Sequence, residues 1–173
     1  MKRRYRLKTS AVLAIVCGFL SASATGAAAG DWAVASGGCK VWNPHPVPGE
    51  TARWTGSCKD GLVEGPGVLE WQRGDKTYER DEGIWRSGRQ TGEGSQTWPR
   101  GQYNGQFADS LPTGSGALTL GDSRYGGSFL NGKPNGRGVL KNASGVYDGS
   151  WQDGCFNEGN RRASFGVPLD ACP

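Results

Sequence analysis

The fold is decided by a stretch that begins Tyr103-Asn-Gly-Gln-Phe107 and ends Gly114-Ser-Gly-Ala-Leu118. The same pattern returns 22 residues later as Tyr125-Gly-Gly-Ser-Phe129 followed by Gly136-Arg-Gly-Val-Leu140. Aromatic residues and glycine alternate with polar residues in its first half, which is the period of a half-buried strand. Asn131-Gly132 lies between the two halves and is a strong signal for a tight hairpin turn. Each stretch is therefore predicted to form one β-hairpin.

The hairpin unit recurs along most of the chain. Its lead glycines are Gly56, Gly83, Gly105, Gly127 and Gly149, and the last four are spaced 22 residues apart. The first step is 27 residues, which indicates an insertion around Asp75–Glu79. Since a single hairpin is marginal in water, the units are expected to stack into one sheet. The sequence predicts an all-β, single-layer antiparallel solenoid of about five hairpins.

This unit, aromatic-x-Gly-x-aromatic followed by a turn, Gly-x-Gly and an apolar pair, resembles the MORN repeat (membrane occupation and recognition nexus). The resemblance covers residues 54–154. Three departures stand out: Asp81 replaces the leading aromatic of the second unit, Ser110 replaces a turn glycine, and Glu158 and Asn160 replace the paired glycines of the fifth. The resemblance implies contacts with proteins or lipid headgroups.

The aromatic residues form two columns along the stack. The second column is interpreted as core between repeats, and the Gly-x-Gly pairs as bare backbone on which the aromatic ring of a neighbouring unit lies. The leading column is interpreted as an exposed ladder, a candidate groove for a peptide, a glycan or a lipid headgroup. The leading column is Trp54, Tyr103, Tyr125 and Tyr147, and the second is Trp85, Phe107, Phe129 and Trp151.

Residues 1–29 have the composition of a secretory signal peptide: a basic start, the apolar run Ala11–Leu20, and small residues ending at Ala29. The leader predicts a periplasmic or secreted protein of a Gram-negative bacterium. It holds five of the 20 basic residues and no acidic one, so the remainder carries 15 basic and 16 acidic residues. Without a basic surface, nucleic acid binding is not expected.

Four cysteines follow the leader, an even number that indicates two disulfides in an exported chain. Cys39 and Cys58 flank the first unit, and Cys155 and Cys172 flank the last. Hairpins that advance the sheet by roughly 10 Å each would separate the two ends by on the order of 45 Å. A bridge needs Cα atoms within about 7 Å, so the predicted pairs are Cys39–Cys58 and Cys155–Cys172.

The chain is therefore divided into a signal peptide (1–29), an N-terminal cap (30–53), the repeat array (54–154) and a C-terminal cap (155–173). The prolines of Cys39–Gly49 argue against a central strand there, and both caps are expected to be irregular. Both ends resemble the cysteine-bearing ends of exported bacterial MORN-repeat proteins.

No catalytic, cofactor or metal site is predicted. His45 is the single histidine and is expected to face solvent in a proline-rich loop. The Gly-x-Gly pairs lack the Gly-Lys-Ser/Thr of a phosphate loop. The carboxylates are interpreted as solvated surface, with the acidic segment Asp75–Glu82 as a candidate contact for a cation or a partner. They are Glu64, Glu70, Asp75, Glu79, Asp81, Glu82 and Glu93.

The leading hypothesis is a non-enzymatic periplasmic binding or scaffold module that contacts a protein or an envelope component through its repeat surface. Contact with a membrane surface and the oligomeric state stay open. Three alternatives are kept: a carbohydrate or cell-wall binder, a secreted inhibitor-type protein, and a hydrolase that uses carboxylates.

Overall fold

A computed structural model describes residues 30–173, and the predicted signal peptide lies outside them. The described part contains fourteen strands and one short 3-10 helix, Leu169–Ala171. Within these residues no helix is long and apolar enough to span a bilayer. The strands are β1 Asp31–Val34, β2 Lys40–Asn43, β3 Thr51–Trp54, β4 Ser57–Lys59, β5 Leu62–Arg73, β6 Lys76–Arg86, β7 Arg89–Trp98, β8 Gly101–Ala108, β9 Leu111–Leu120, β10 Ser123–Leu130, β11 Lys133–Asn142, β12 Gly145–Gln152, β13 Cys155–Glu158 and β14 Arg161–Ser164.

The strands form one open sheet in which sequential strands pair from β5 to β14. All of these pairings are antiparallel, and β3 and β4 both pair with β5. The N-terminal hairpin β1–β2 joins through a parallel contact between Lys40 and Leu62. The predicted all-β solenoid of stacked hairpins is confirmed.

The tight turns connect neighbouring units as well as neighbouring strands. Asn131 and Gly132 have φ values of 49° and 79°, the left-handed pair of a type I′ turn. The amide of Gly132 donates to Pro112 O at 2.9 Å, and the amide of Gly154 donates to Pro134 O at 2.8 Å. Each turn is thus bonded to the unit before it, so the turns form a second ladder along the stack.

Both aromatic columns lie on the same face of the sheet. Positions two apart in a strand share a face, so Tyr103 and Phe107 must point the same way. Their ring centroids are 5.1 Å apart, and Tyr103 is 5.0 Å from Phe129 of the next unit. The rings meet edge to face, which is a favourable geometry for aromatic pairs. The interleaved columns form the core of the array.

The paired glycines make room for these rings. A Cβ on Gly116 would overlap the ring of Tyr103, which lies on the second strand of its own hairpin and not, as predicted, on that of a neighbouring unit. The hydroxyl of Tyr103 then donates to Gln106 O at 3.0 Å. Glycine is needed here because any side chain would displace the ring from the sheet.

The insertion in the first junction extends a hairpin. It lengthens β5 and β6, which run together from the Gly65–Trp85 pair to the Arg73–Lys76 pair with a bulge at Trp71 and Gln72. The extension carries Tyr78 beyond the edge that the other hairpins reach, whereas Glu79 takes the place of Gly101 and Ser123, the first residues of β8 and β10. The extension forms one wall of the cavity described below.

The two ends are more regular than the sequence predicted. Lys40–Asn43 forms β2, although the prolines of its segment argued against a strand, because they all follow Asn43. The C-terminal segment forms the hairpin β13–β14, and Phe165 stacks on Tyr125 at 6.1 Å.

The predicted disulfides are both present. The Cα atoms of Cys39 and Cys58 are 6.1 Å apart, and those of Cys155 and Cys172 are 5.6 Å apart. Each bridge closes one end of the stack, where a terminal unit has a neighbour on one side only.

Candidate binding site

The leading aromatic column does not form an exposed ladder. Tyr103 and Tyr125 are each 1% exposed, and Trp54 is buried as well. Tyr147 is half-buried and packs edge to face on Phe156. The expectation of an exposed ladder is wrong for the first three, because the two columns share one face and pack each other. The second-column residues Trp85, Phe107, Phe129 and Trp151 are also buried.

The second unit breaks this core at three positions. Strand register places Asp81 where the other units have Trp54, Tyr103 and Tyr125. Counting from the paired glycines, Gln96 takes the place of a leucine, and Gln90 takes the place of a valine or proline. The apolar residues at these positions in the other units are Leu69, Leu118 and Leu140, and Val63, Pro112 and Pro134.

In the second unit the side chain of Gln90, and not an aromatic ring, covers the paired glycines. Its side-chain amide lies over the paired glycines, and a Cβ built on Gly94 would come within 2.6 Å of its Nε2. The same nitrogen donates to Glu82 O at 3.2 Å. Because Gln90 approaches from the second strand, the space that a leading aromatic would fill above Asp81 stays open.

This space is part of a cavity of about 590 Å³ on the inner face of the sheet, a volume typical of ligand pockets. Strands β5, β6 and β7 form its floor, and the segment Trp42–Val47 closes it from above. Tryptophans from four elements line it: Trp42, Trp71, Trp85 and Trp98. A smaller pocket of about 220 Å³ shares His45 and Trp98 with it and leads toward Gly166. His45 is exposed, as expected, and lies at the mouth that the two pockets share.

Asp81 is the most deeply buried charged group of this cavity, 4% exposed. Its Oδ2 accepts a hydrogen bond from Trp71 Nε1 at 3.2 Å. Its Oδ1 is buried and no donor among residues 30–173 meets hydrogen-bond geometry with it. Burial and the neighbouring Glu79 carboxylate raise the pKa of Asp81 well above its usual range, while the nearby Gln96 side chain opposes this rise in the pKa.

Glu79 lies beside Asp81 on the same strand and the same face. Its Oε1 accepts from Gln96 Nε2 at 3.1 Å. Burial raises the pKa of Glu79 to about 7, and the nearby Glu50 carboxylate acts in the same direction. The interpretation of these two carboxylates as solvated surface is wrong, whereas Glu82 points to the outer face and pairs with Arg80 at 2.8 Å.

A polar network fixes the segment above the cavity. Asn43 Nδ2 donates to Glu50 Oε1 at 2.7 Å, and the Asn43 side chain accepts from the amide of His45 at 2.8 Å. The Tyr78 hydroxyl donates to the other Glu50 oxygen. Desolvation and this bond raise the pKa of Tyr78 above its ordinary value. The segment is thereby attached to the extended β5–β6 hairpin.

The structure defines a class of protein: an open stack of β-hairpin repeats, in which the second unit lines a polar cavity. Comparison with known protein families matches the MORN repeat at residues 55–76, 82–102, 103–123 and 125–146. The chain belongs to the MORN-repeat family, whose repeats are typically binding or scaffold modules. A comparison with curated protein sequences finds no match.

Three residues that line the cavity lie outside the matched repeats. Tyr78, Glu79 and Asp81 fall between the first two matched repeats. The replacement of an aromatic by Asp81 was visible in the sequence, and its period-two position placed it on the same face as the core. A carboxylate at a core-facing position was therefore the feature of the sequence from which the site could have been predicted. No three His, Cys, Asp or Glu residues between 30 and 173 are grouped as a metal site would require.

Proposed function

We propose that this chain is a non-enzymatic binding module and that its ligand binds in the cavity between the segment Trp42–Val47 and the second unit. The observation that carries the proposal is the second unit itself. Asp81, Gln90 and Gln96 are polar at positions that are apolar core in the other units, and all three face one cavity. Burying polar groups costs stability, and local violations of core packing are typical of functional sites.

We further propose that the protein acts in the periplasm or outside the cell. Two disulfides support this, since they persist in oxidising compartments. The partner is then an envelope component or a protein that presents the bound group to the cavity. Membership of a family of binding repeats supports a binding role over catalysis.

The test is retention of ligands by the mature chain immobilised on a support. Its control is a repeat-restored variant, Asp81→Tyr with Gln90→Pro and Gln96→Leu, which gives the second unit the side chains of the third. Small molecules and peptides from an envelope extract are passed over both, and retained compounds are identified by mass spectrometry. We expect retention by the wild type and loss in a variant with unchanged circular dichroism. Equal retention by both proteins would contradict the proposal.

A further inference from the structure

We propose that the cavity binds an organic cation, an ammonium group on an apolar body, with the ammonium between Asp81 and Glu79. This inference rests on the proposed function of the cavity and names the chemistry of its ligand. It is carried by the charge, the hydrogen-bonding state and the walls of the site.

The interior of the cavity is acidic and lacks a matching cation. Salt bridges in residues 30–173 are Arg53–Glu70, Arg80–Glu82 and Arg89–Asp109, and none involves Asp81 or Glu79. Arg73 lines the cavity, but its guanidinium lies over the Tyr78 ring at 5.7 Å. Buried carboxylates are costly unless they are paired or protonated. A cationic ligand would supply the missing partner.

Asp81 also presents an unused acceptor. Oδ2 is occupied by Trp71, while Oδ1 has no hydrogen-bond partner among the described residues and belongs to a side chain that lines the cavity. A buried acceptor without a donor is disfavoured by about 1–3 kcal/mol. An ammonium group offers three donors, so it can satisfy Oδ1 and still reach Glu79.

The walls suit the body of such a cation. Trp71 and Trp85 are buried in the floor, and Trp98 is half-buried at the side that leads to the smaller pocket. Indole faces attract cations and pack well against apolar groups, and the attraction strengthens when water is excluded. The volume of about 590 Å³ holds more than the ammonium group alone, so an apolar body is expected with it.

A divalent metal fits these side chains poorly. Calcium needs six to eight oxygen ligands, and magnesium needs a near-ideal octahedron. The described residues bring no group of three metal-ligating side chains together. Tryptophan walls next to a carboxylate pair favour an organic cation over a metal ion.

The experiment is isothermal titration calorimetry of the mature chain with four probes. Phenethylammonium represents a free amine, and the blocked peptide acetyl-Gly-Lys-Gly-amide represents a lysine side chain. Neutral 2-phenylethanol has nearly the shape of the first probe, and cellobiose tests a sugar. We expect at least one cationic probe to bind tenfold or more tightly than both neutral ones. Which cation binds identifies the source of the group, a small molecule or a protein.

Isosteric variants test the role of each carboxylate. Asp81→Asn and Glu79→Gln should each weaken binding of the cation at least tenfold, since they remove charge and keep shape. Glu82→Gln is the matched control, because Glu82 follows Asp81 on the strand and points to the outer face. It should change the affinity less than twofold. If one variant fails to fold by circular dichroism, the other still tests the pair.

Proton release gives an independent readout. The titratable groups that face the carboxylate pair are Glu50, Arg73, Tyr78 and His45. Because burial raises the pKa of both carboxyls, part of the pair is protonated near pH 6.5, and a bound cation should expel those protons. The binding enthalpy should then vary with the ionisation enthalpy of the buffer, and the affinity should rise toward pH 8.5.

The possible negative results distinguish the cationic ligand from the proposed binding function of the cavity. Tight binding of cellobiose or 2-phenylethanol that Asp81→Asn leaves unchanged and the repeat-restored variant loses would overturn the cationic ligand and leave the cavity as a binding site. Binding of a cation that the repeat-restored variant retains would overturn both the cationic site and the proposed function. Absence of binding by all four probes would overturn the cationic ligand, and the retention experiment would then decide the proposed function.

Discussion

At the scale of single residues, Asp81 couples the repeat pattern to the cavity. A tyrosine in its place would lie on the paired glycines, as Tyr103 does on Gly116, and would fill the space above them. The shorter carboxylate does not reach the paired glycines, which the Gln90 side chain covers instead, and it places one unpartnered oxygen beside the cavity. The replacement of the leading aromatic residue by Asp81 thus contributes both to the volume of the cavity and to its acidic character.

The pH dependence of stability tests the buried state of this group. Burial raises the pKa of Asp81 and of Glu79, so the folded chain binds more protons than the unfolded chain. Stability is therefore fully present below the unfolded pKa values and is lost as the pH rises through the folded ones. We expect the free energy of unfolding to fall by on the order of 2 kcal/mol between pH 5 and pH 8.

Urea denaturation of wild type and Asp81→Asn at both pH values measures this effect. The variant cannot ionise at position 81, so it should be more stable than the wild type at pH 8 and should differ less at pH 5. A wild type whose stability rises steadily over this range would contradict the burial of the pair.

Two adjacent glycines allow a matched test of core packing. A Cβ on Gly127 would overlap Gly138 Cα and come close to the Tyr125 hydroxyl, whereas a Cβ on Gly126 meets nothing within 4 Å. We expect Gly127→Ala to lower the free energy of unfolding by about 2 kcal/mol, the usual cost of overpacking. Gly126→Ala should be neutral or slightly stabilising. Similar melting temperatures for the two variants would contradict the close approach of β10 and β11 at Gly127 and Gly138.

The residue pattern was enough to predict the hairpins but not the burial of each side chain. Alternation identified which residues share a face, and the turn dipeptides identified where the chain reverses. The leading aromatic column was nevertheless predicted to be exposed, although Tyr103 and Phe107 are four residues apart and must therefore lie on the same face. Burial of Glu79 depends on the covering segment near Glu50, a contact that sequence spacing does not reveal.

At the scale of elements, the N-terminal segment serves as a cover for the second unit. Trp42 N donates to Gly88 O at 2.9 Å, and Arg89 lies over the Trp42 ring at 4.3 Å. Cys39–Cys58 ties the start of this cover to β4. This segment was predicted only as part of an irregular N-terminal cap, and its position over the inner face followed from the structure.

Removal of the Cys39–Cys58 bridge should lower both the stability of the hairpin stack and the affinity of the cavity for its ligand. The cysteines are 19 residues apart, and closing a loop of that size contributes about 3 kcal/mol in the chain-entropy model. We expect Cys39→Ser with Cys58→Ser to lose that much stability in denaturant titration. Because Trp42 and His45 lie beyond Cys39 in the same segment, affinity for the cationic probe should also fall. An unchanged free energy of unfolding would contradict this account of the bridge.

At the scale of the whole molecule, the polar second unit lies between two hydrophobic clusters. One extends from Ala35 to Trp85, and the other from Tyr103 to Phe165. The backbone sheet is continuous across β7, but the side-chain core is not. In a repeat stack stability is close to a sum of nearest-neighbour terms, so a weak interface divides it.

Native-state hydrogen exchange in mild denaturant should therefore resolve two cooperative groups of amides. We expect one group in β2–β6 and the other in β8–β14, with different free energies of opening. The repeat-restored variant should bring the two values together, because it joins the clusters. A single common opening energy in the wild type would contradict the division.

The overall architecture was accessible from the sequence because each unit contacts its neighbours in order. Period, turn residues and cysteine placement then determine the stack and the two bridges. The cavity was not accessible in the same way, since it depends on one unit that breaks the period and on a non-repetitive segment that folds over it.

We propose that the buried Asp81 and the half-buried Glu79 form an acidic pair that accepts a cation. Carbon-13 NMR titration of their carboxyl groups, with and without saturating phenethylammonium, tests it most directly. We expect both carboxyl groups of the free protein to titrate well above the ordinary range of carboxylic acids, and the cation to lower both pKa values. Titration of both groups near pH 4 in the free protein, with no response to the cation, would contradict it.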